Sequence, residues 1–250
     1  MLKNKVCVIT GGAGSIGLAS AKIFLENGAK VLLVDLKDEN LKAAAKSLGS
    51  DKVDVIAADV TKEKDTESYC KRAVEKFGKI DVLFANAGNV GVIKPLAEYP
   101  VDEFDKVYAV HVRGALLACK HGVSAMNDGG SVIIMSSVAA WRSDAGAYGY
   151  VTMKQAQVGL MRCVASECAP RRIRVNAIHP GPVENEFQLG MERDMSKQLN
   201  VDVTAALNQA IPLKRHAAPE EIARSVLFLA SDQSSFVTGC SLRVDGGLSL

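Results

Sequence analysis

The chain has 250 residues with 30 basic and 28 acidic side chains, a formal net charge of +2, and 48% hydrophobic residues. This balance provides no broad basic field for a nucleic acid, and the apolar fraction is that of a folded globular protein, which excludes wholesale disorder. No apolar run reaches the roughly 18–20 residues that span a bilayer, and Met1-Leu2-Lys3-Asn4-Lys5 lacks the apolar core of a signal peptide. The expectation is a soluble, cytoplasmic protein with no nucleic-acid or membrane partner. Six scattered cysteines without a C-x-x-C pair read as reduced thiols, and four histidines without ligand spacing give no reason to expect a metal.

Residues 5–10 are a short apolar run with β-branched side chains. A glycine turn follows at 11–17, then apolar residues at helical spacing over 18–25, a stop at Asn27-Gly28, and a second apolar run ending at Asp35. This is one βαβ unit. Strand-like runs recur at Val53–Ala57, 82–85, 131–135, 174–177 and Ser241–Val244, with helical patterns over 64–77, 101–126, 150–168 and 219–229. Strands apolar on both faces, alternating with helices, specify the α/β class: a single-domain, Rossmann-type, doubly wound parallel sheet with helices on both faces. No linker divides residues 1–250. The largest interruption, 184–210, is polar and methionine-containing, and is expected to form a lid over a substrate.

The glycine turn follows a strand and opens a helix, so Gly11, Gly14, Ser15, Ile16 and Gly17 are candidates to cradle a pyrophosphate on backbone N–H groups. Asp35, with Leu36 beside it, falls where a carboxylate accepts hydrogen bonds from both ribose hydroxyls of an adenosine and repels a 2′-phosphate. That favours NAD over NADP, although nearby Lys37 softens the exclusion. A tight turn with an unrelated solvated aspartate is the plain alternative. Tyr150 and Lys154, four apart in a helical pattern, share a face, and an ammonium beside a phenol favours the phenolate. Such pairs are common on helix surfaces. The rival Tyr148 has the uncharged Thr152 at the same spacing.

With these residues assembled, the sequence resembles the short-chain dehydrogenase/reductase superfamily over essentially its whole length. Thr10-Gly11-Gly12-Ala13-Gly14-Ser15-Ile16-Gly17 matches the family's Thr-Gly-x-x-x-Gly-x-Gly turn, with Ser15 at the middle glycine. Asp59-Val60 matches the adenine-contacting Asp-Val, and Ala85-Asn86-Ala87-Gly88 matches Asn-Asn-Ala-Gly without its first asparagine. Ser137 falls at the catalytic serine, Pro180-Gly181-Pro182-Val183 at the Pro-Gly turn, and Asp245-Gly246-Gly247 at the closing motif.

The resemblance implies that Tyr150 exchanges a proton with a ketone or alcohol oxygen and that Ser137 donates a hydrogen bond to it. It implies that Lys154 lowers the Tyr150 pKa and holds the nicotinamide ribose, and that Val183 and its neighbours orient the carboxamide. It also implies a homotetramer built on the helices of 101–126 and 150–168 and the apolar ending Leu248-Ser249-Leu250. Two further positions depart from the family. His111 replaces an asparagine and reads as a hydrogen-bonding substitute, as a relay member titrating near pH 6–7, or as the mark of an impaired site. Asn185 replaces a threonine that contacts the cofactor amide.

A pocket drawn from 137–148 and the lid, with Trp141, Tyr148 and Phe187 on its walls, suits a small cyclic or aryl secondary alcohol or ketone. Two other functions are weighed: a 3-oxoacyl thioester reductase, against which Asp35 argues, and a non-catalytic nucleotide-binding scaffold or sensor, for which His111 is the support.

Overall fold

The computed structural model describes residues 1–142 and 144–250. The short apolar runs become strands β1 (Val6–Thr10), β2 (Lys30–Asp35), β3 (Val53–Ala57), β4 (Ile80–Ala85), β5 (Met126–Met135), β6 (Arg174–Pro180) and β7 (Ser241–Val244). They pair in parallel in the order β3-β2-β1-β4-β5-β6-β7. Parallel neighbours need crossovers, and helices on both faces supply them.

Period-two alternation sorts the strand side chains into two cores. Val8, Leu32, Leu83, Val132 and Val175 meet α3 (Glu63–Phe77), α5 (Gly114–Ser124) and α6 (Tyr148–Cys168) through Tyr69, Ala118 and Met161. Ile9, Val31, Phe84 and Ile133 face α1 (Ser15–Glu26), α2 (Asp38–Leu48) and α9 (Pro219–Ala230) through Phe24, Leu41 and Val226. The C-terminal end of α9 is gripped from β6, where Arg174 donates to Leu229 O (2.8 Å), Ser231 O (3.1 Å) and Ser234 Oγ (2.6 Å).

One helical stretch differs from the sequence expectation, and a second takes a form that the sequence reading left open. The 101–126 pattern divides into α4 (Val101–Tyr108), a π turn (Ala109–Arg113) and α5, and Met126 already pairs with Ile80 as the start of β5. His111 lies in this π turn and is buried. The 184–210 interruption is two helices, α7 (Glu186–Leu199) and α8 (Val203–Ala210). Among the described residues no helix is long and apolar enough to cross a membrane. Strand order reverses between β1 and β4, and the crevice beyond the carboxyl ends of these strands is the binding position in such sheets.

Candidate active site

The glycine turn leaves β1 through Gly11 at φ +63°, a left-handed conformation suited to glycine. A β-carbon on Gly17 would lie 2.3 Å from Gly11 O, so only glycine lets α1 start this close to the strand. No side chain caps α1 at Gly14 and no acid lies in its first turn, which leaves its N–H groups and positive dipole end facing the crevice. Gly11, Gly14, Ser15 and Ile16 line the crevice, whereas Gly17 lies beneath the turn. Asn86 bolts the turn to the end of β4: its Nδ2 donates to Thr10 O (3.0 Å) and Gly11 O (3.1 Å). Asn86 N and Ala87 N in turn donate to Thr10 Oγ1 at 3.0 and 3.1 Å.

Asp35 is oriented by backbone alone, accepting from Ala13 N (3.0 Å) and Leu36 N (2.7 Å). Burial pushes the Asp59 carboxyl up, but hydrogen bonds from Thr61 and the charge of Lys62 outweigh it and hold the group below the usual range. Asp59, Val60 and Gly88 line the same crevice.

At the other end, Ser137 follows β5, and its Oγ accepts from Ala139 N at 3.1 Å to cap a short 3₁₀ turn. Its neighbour Ser136 is buried and committed to Lys154 O at 2.9 Å. Tyr150 lies in the first turn of α6 and Lys154 one turn later, with Nζ 5.4 Å from the Tyr150 ring centre. Lys154 is 3% exposed, and its Nζ donates to Met135 O at 2.7 Å. Burial brings this lysine down to about 7. Burial also pushes the Tyr150 hydroxyl up, and the hydrogen bond with Ser137 pulls it partly back. In the protein alone, then, desolvation outweighs any pull of Lys154 on the phenol.

His111 rises from the π turn with its ring edge-on to Tyr150, centroids 5.7 Å apart. Its Nε2 lies 2.7 Å from Asn89 O and 3.1 Å from Asn89 N. Burial first, and then the charge of Lys154, drive the imidazole down to about 3. The ring is neutral at physiological pH, and this environment does not produce a titration near pH 6–7. Gly88 leaves it room, since a β-carbon there would lie 2.7 Å from His111 Cε1.

These groups share a crevice of about 630 Å³ that runs from Asp35 past Ser137, Tyr150 and Lys154 to α7 and α8. Phe187, Met191 and Met195, at spacings of four, form the α7 wall, and Val203 and Leu207 continue it from α8. Pro180 at the end of β6, and Gly181 and Val183 beyond it, also line the crevice, with Gly181 N donating to Val244 O at 3.0 Å. Asn185 also reaches it, but its Oδ1 caps α7 by accepting from Gln188 N at 2.8 Å.

Trp141 and Tyr148 do not line the crevice, contrary to the sequence expectation. Tyr148 is two residues before Tyr150, about 200° around the helix, and meets Tyr99 edge-on at 5.5 Å. Trp141 is half exposed, against His179 at 5.7 Å with the Arg243 guanidinium 5.5 Å from its ring centre. Gln188, Met195 and Leu207 were missed, although the four-residue spacing of 187, 191 and 195 carried the signal.

A family model described as enoyl-(acyl carrier protein) reductase matches residues 11–249. Short-chain dehydrogenase reductase 3b of Arabidopsis thaliana is 37% identical over 257 residues, covering 100% of this chain and 97% of that protein. The crystal structure of levodione reductase superposes with a TM-score of 0.96 at 33% identity, covering 100% of this chain and 99% of that one. NAD+-bound xylitol dehydrogenase gives 0.92 at 33% identity over 98% of this chain and 99% of its own. A blue fluorescent protein from a metagenomic library, in complex with NADPH, gives 0.90 at 28% identity over 100% and 99%. Both forms of the nicotinamide cofactor therefore occur among the neighbours. With this sheet order, this glycine turn and full-length similarity, the chain belongs to the short-chain dehydrogenase/reductase superfamily of oxidoreductases.

Proposed function

We propose that the protein interconverts a small secondary alcohol and a ketone with NAD(H), using Tyr150 as the proton donor and acceptor. One observation carries this reading. Ser137, Tyr150 and Lys154 line a crevice whose opposite end is an uncapped helix N-terminus beside the Asp35 carboxylate. The residues fit a dinucleotide. Gly11 and Gly14 put bare backbone on the crevice wall, and Ser15 and Ile16 present backbone N–H groups to a pyrophosphate there. Asp35 holds the adenosine ribose and disfavours a 2′-phosphate, and Asp59 and Val60 flank the base. Asn86, Ala87 and Gly88 form the wall between the two halves. Lys154 serves the second ribose, and Pro180, Gly181, Val183 and Asn185 serve the carboxamide.

When bound, the cofactor supplies or accepts the hydride. The chain supplies the proton and the geometry. Tyr150 gives its hydroxyl proton to a ketone oxygen in reduction and takes one from a hydroxyl in oxidation. Ser137 donates to that oxygen and stabilises the charge developing on it. Lys154, brought down to about 7 by burial, stands beside the Tyr150 ring and exchanges its own proton close to pH 7. His111 serves as a positioning group through Asn89. The stretch 184–210 acts as the lid, and its apolar wall of Phe187, Met191, Met195 and Leu207 supports a cyclic or aryl substrate.

The test follows reduced-cofactor absorbance with NAD and NADP against cyclohexanol, 1-phenylethanol, polyols and the matching ketones. Turnover with the NAD pair on cyclic or aryl alcohols, abolished in Tyr150→Phe, is the expected result. A clear preference for polyols or for NADP overturns the substrate or the cofactor assignment. Exposed Tyr108, Leu116 and Leu250 on α4, α5 and the C-terminal segment support assembly as a homotetramer, and a stable monomer in size-exclusion chromatography overturns that assembly.

A further inference from the structure

Behind the active site, His111 and Gln157 are each 1% exposed. Gln157 lies on α6 three residues after Lys154 and seven after Tyr150, on the same helix face. Its Nε2 donates to His111 O at 2.9 Å, while Gln157 Oε1 and His111 Nδ1 are buried without partners. Both residues border a small recess of about 10 Å³ whose other walls include Thr10, Val60, Ala85 and Ala115. That volume is about what one water requires. Leaving two polar side-chain atoms dry beside such a space is unfavourable, and a single water satisfies both.

The tautomer of His111 follows from its other nitrogen. Nε2 faces both Asn89 O at 2.7 Å and Asn89 N at 3.1 Å, and the shorter approach, oxygen to nitrogen, is the one that an N–H on Nε2 makes favourable. The neutral ring therefore carries its proton on Nε2 and turns a lone pair at Nδ1 toward the cavity. Gln157 Oε1 is also an acceptor. The two hydrogens of one water match the two acceptors.

We infer that the cavity between His111 and Gln157 is a water site, and that Gln157 is a positioning residue. The water and Gln157 hold the imidazole in its Nε2–H form, and that form fixes the crevice wall at Gly88 and Asn89. The site is separate from the ammonium of Lys154, which does not border the cavity and is bound to Met135 O. The consequence for the cofactor rests on the function proposed above; the water and the tautomer do not.

The test begins with a crystal structure of the unaltered protein at a resolution that shows ordered water, and nitrogen NMR of the isotope-labelled His111 ring. The expected results are one water within hydrogen-bond reach of His111 Nδ1 and Gln157 Oε1, and ring signals of the Nε2–H tautomer. In Gln157→Met, which keeps the length and removes the amide, the water is lost and the ring signals become those of a tautomer mixture. NADH then binds about 2- to 10-fold more weakly, the range of one neutral hydrogen bond. An empty cavity or a proton on Nδ1 in the unaltered protein overturns the inference. Unchanged ring signals and NADH affinity in Gln157→Met overturn the positioning role. If Gln157→Met does not fold, the unaltered protein still decides the site. If the unaltered protein binds no NADH, the cofactor reading falls, and the crystal and NMR results still decide the water.

Discussion

The two ends of the crevice are built differently. At the glycine turn, geometry comes from the main chain: α1 begins uncapped, Asp35 accepts from two backbone N–H groups, and Asn86 holds two backbone carbonyls. At the end formed by α7 and α8, geometry comes from side chains gathered on one carboxylate. Glu192 is 0% exposed and accepts from Gln188 Nε2 at 2.7 Å and from Thr204 Oγ1. His216 Nε2 lies 2.7 Å from the same carboxylate, and its Nδ1 lies 2.8 Å from Asn208 Oδ1. A main-chain site is inherited with the fold and suits a constant ligand. A side-chain clasp is changed by one substitution and suits the part of the site that must vary with substrate.

The largest effect is expected where the two ends meet. Tyr150→Phe should lower kcat by about 10²- to 10⁴-fold, the range for a positioned acid–base group, with NADH affinity nearly unchanged. An equal loss in both would show that Tyr150 acts in binding. Next, Glu192→Ala strands His216, Gln188 and Thr204 and should destabilise the protein by about 3–5 kcal/mol, the range for breaking a buried pair. The substrate KM should rise with it while NADH affinity holds, and denaturation together with steady-state kinetics will show whether the α7–α8 end acts alone. Gly17→Ala probes the opposite end, where overpacking against Gly11 O should cost about 1–3 kcal/mol and weaken NADH first. A KM effect confined to the alcohol or ketone would break the division between the ends.

The effect that is smallest per step of the measurement is a dependence on pH. Lys154 is brought down to about 7 by burial, below its ordinary 10.5, so between these values the unfolded chain holds a proton that the folded one has released. Stability should therefore rise with pH across that window, by up to about 1.4 kcal/mol per pH unit. Measured against Lys154→Met, in which the burial penalty is absent, the stability gap should narrow from pH 7 toward pH 10. A constant gap would mean that Lys154 keeps its charge in the folded protein.

The main-chain end was legible because its signals are local. A β-branched run, a glycine turn and an acid after the next run lie within residues 5–35, and β3 and β7 begin and end where the apolar pattern does. The rest depends on what the chain encloses. The π turn was invisible because amphipathic spacing continues through a single inserted residue, so 101–126 reads as one helix. Glu192 reads as solvated in a polar stretch, since its partner His216 comes from beyond α8. Trp141 and Tyr148 are near Ser137 and Tyr150 in sequence, but angle around the helix and the 3₁₀ turn decide where they point.

The packing of α9 on α1 has a consequence for synthesis. Ala21 and Phe24 share their buried cluster with Ile222 and Val226, which follow them by roughly two hundred residues. A ribosome adding about 5–20 residues per second leaves that face of α1 uncovered for about 10–40 s after it emerges. The nascent chain thus displays a greasy Phe24 surface until its closing helix arrives, and this is the surface that a chaperone at the exit tunnel would hold.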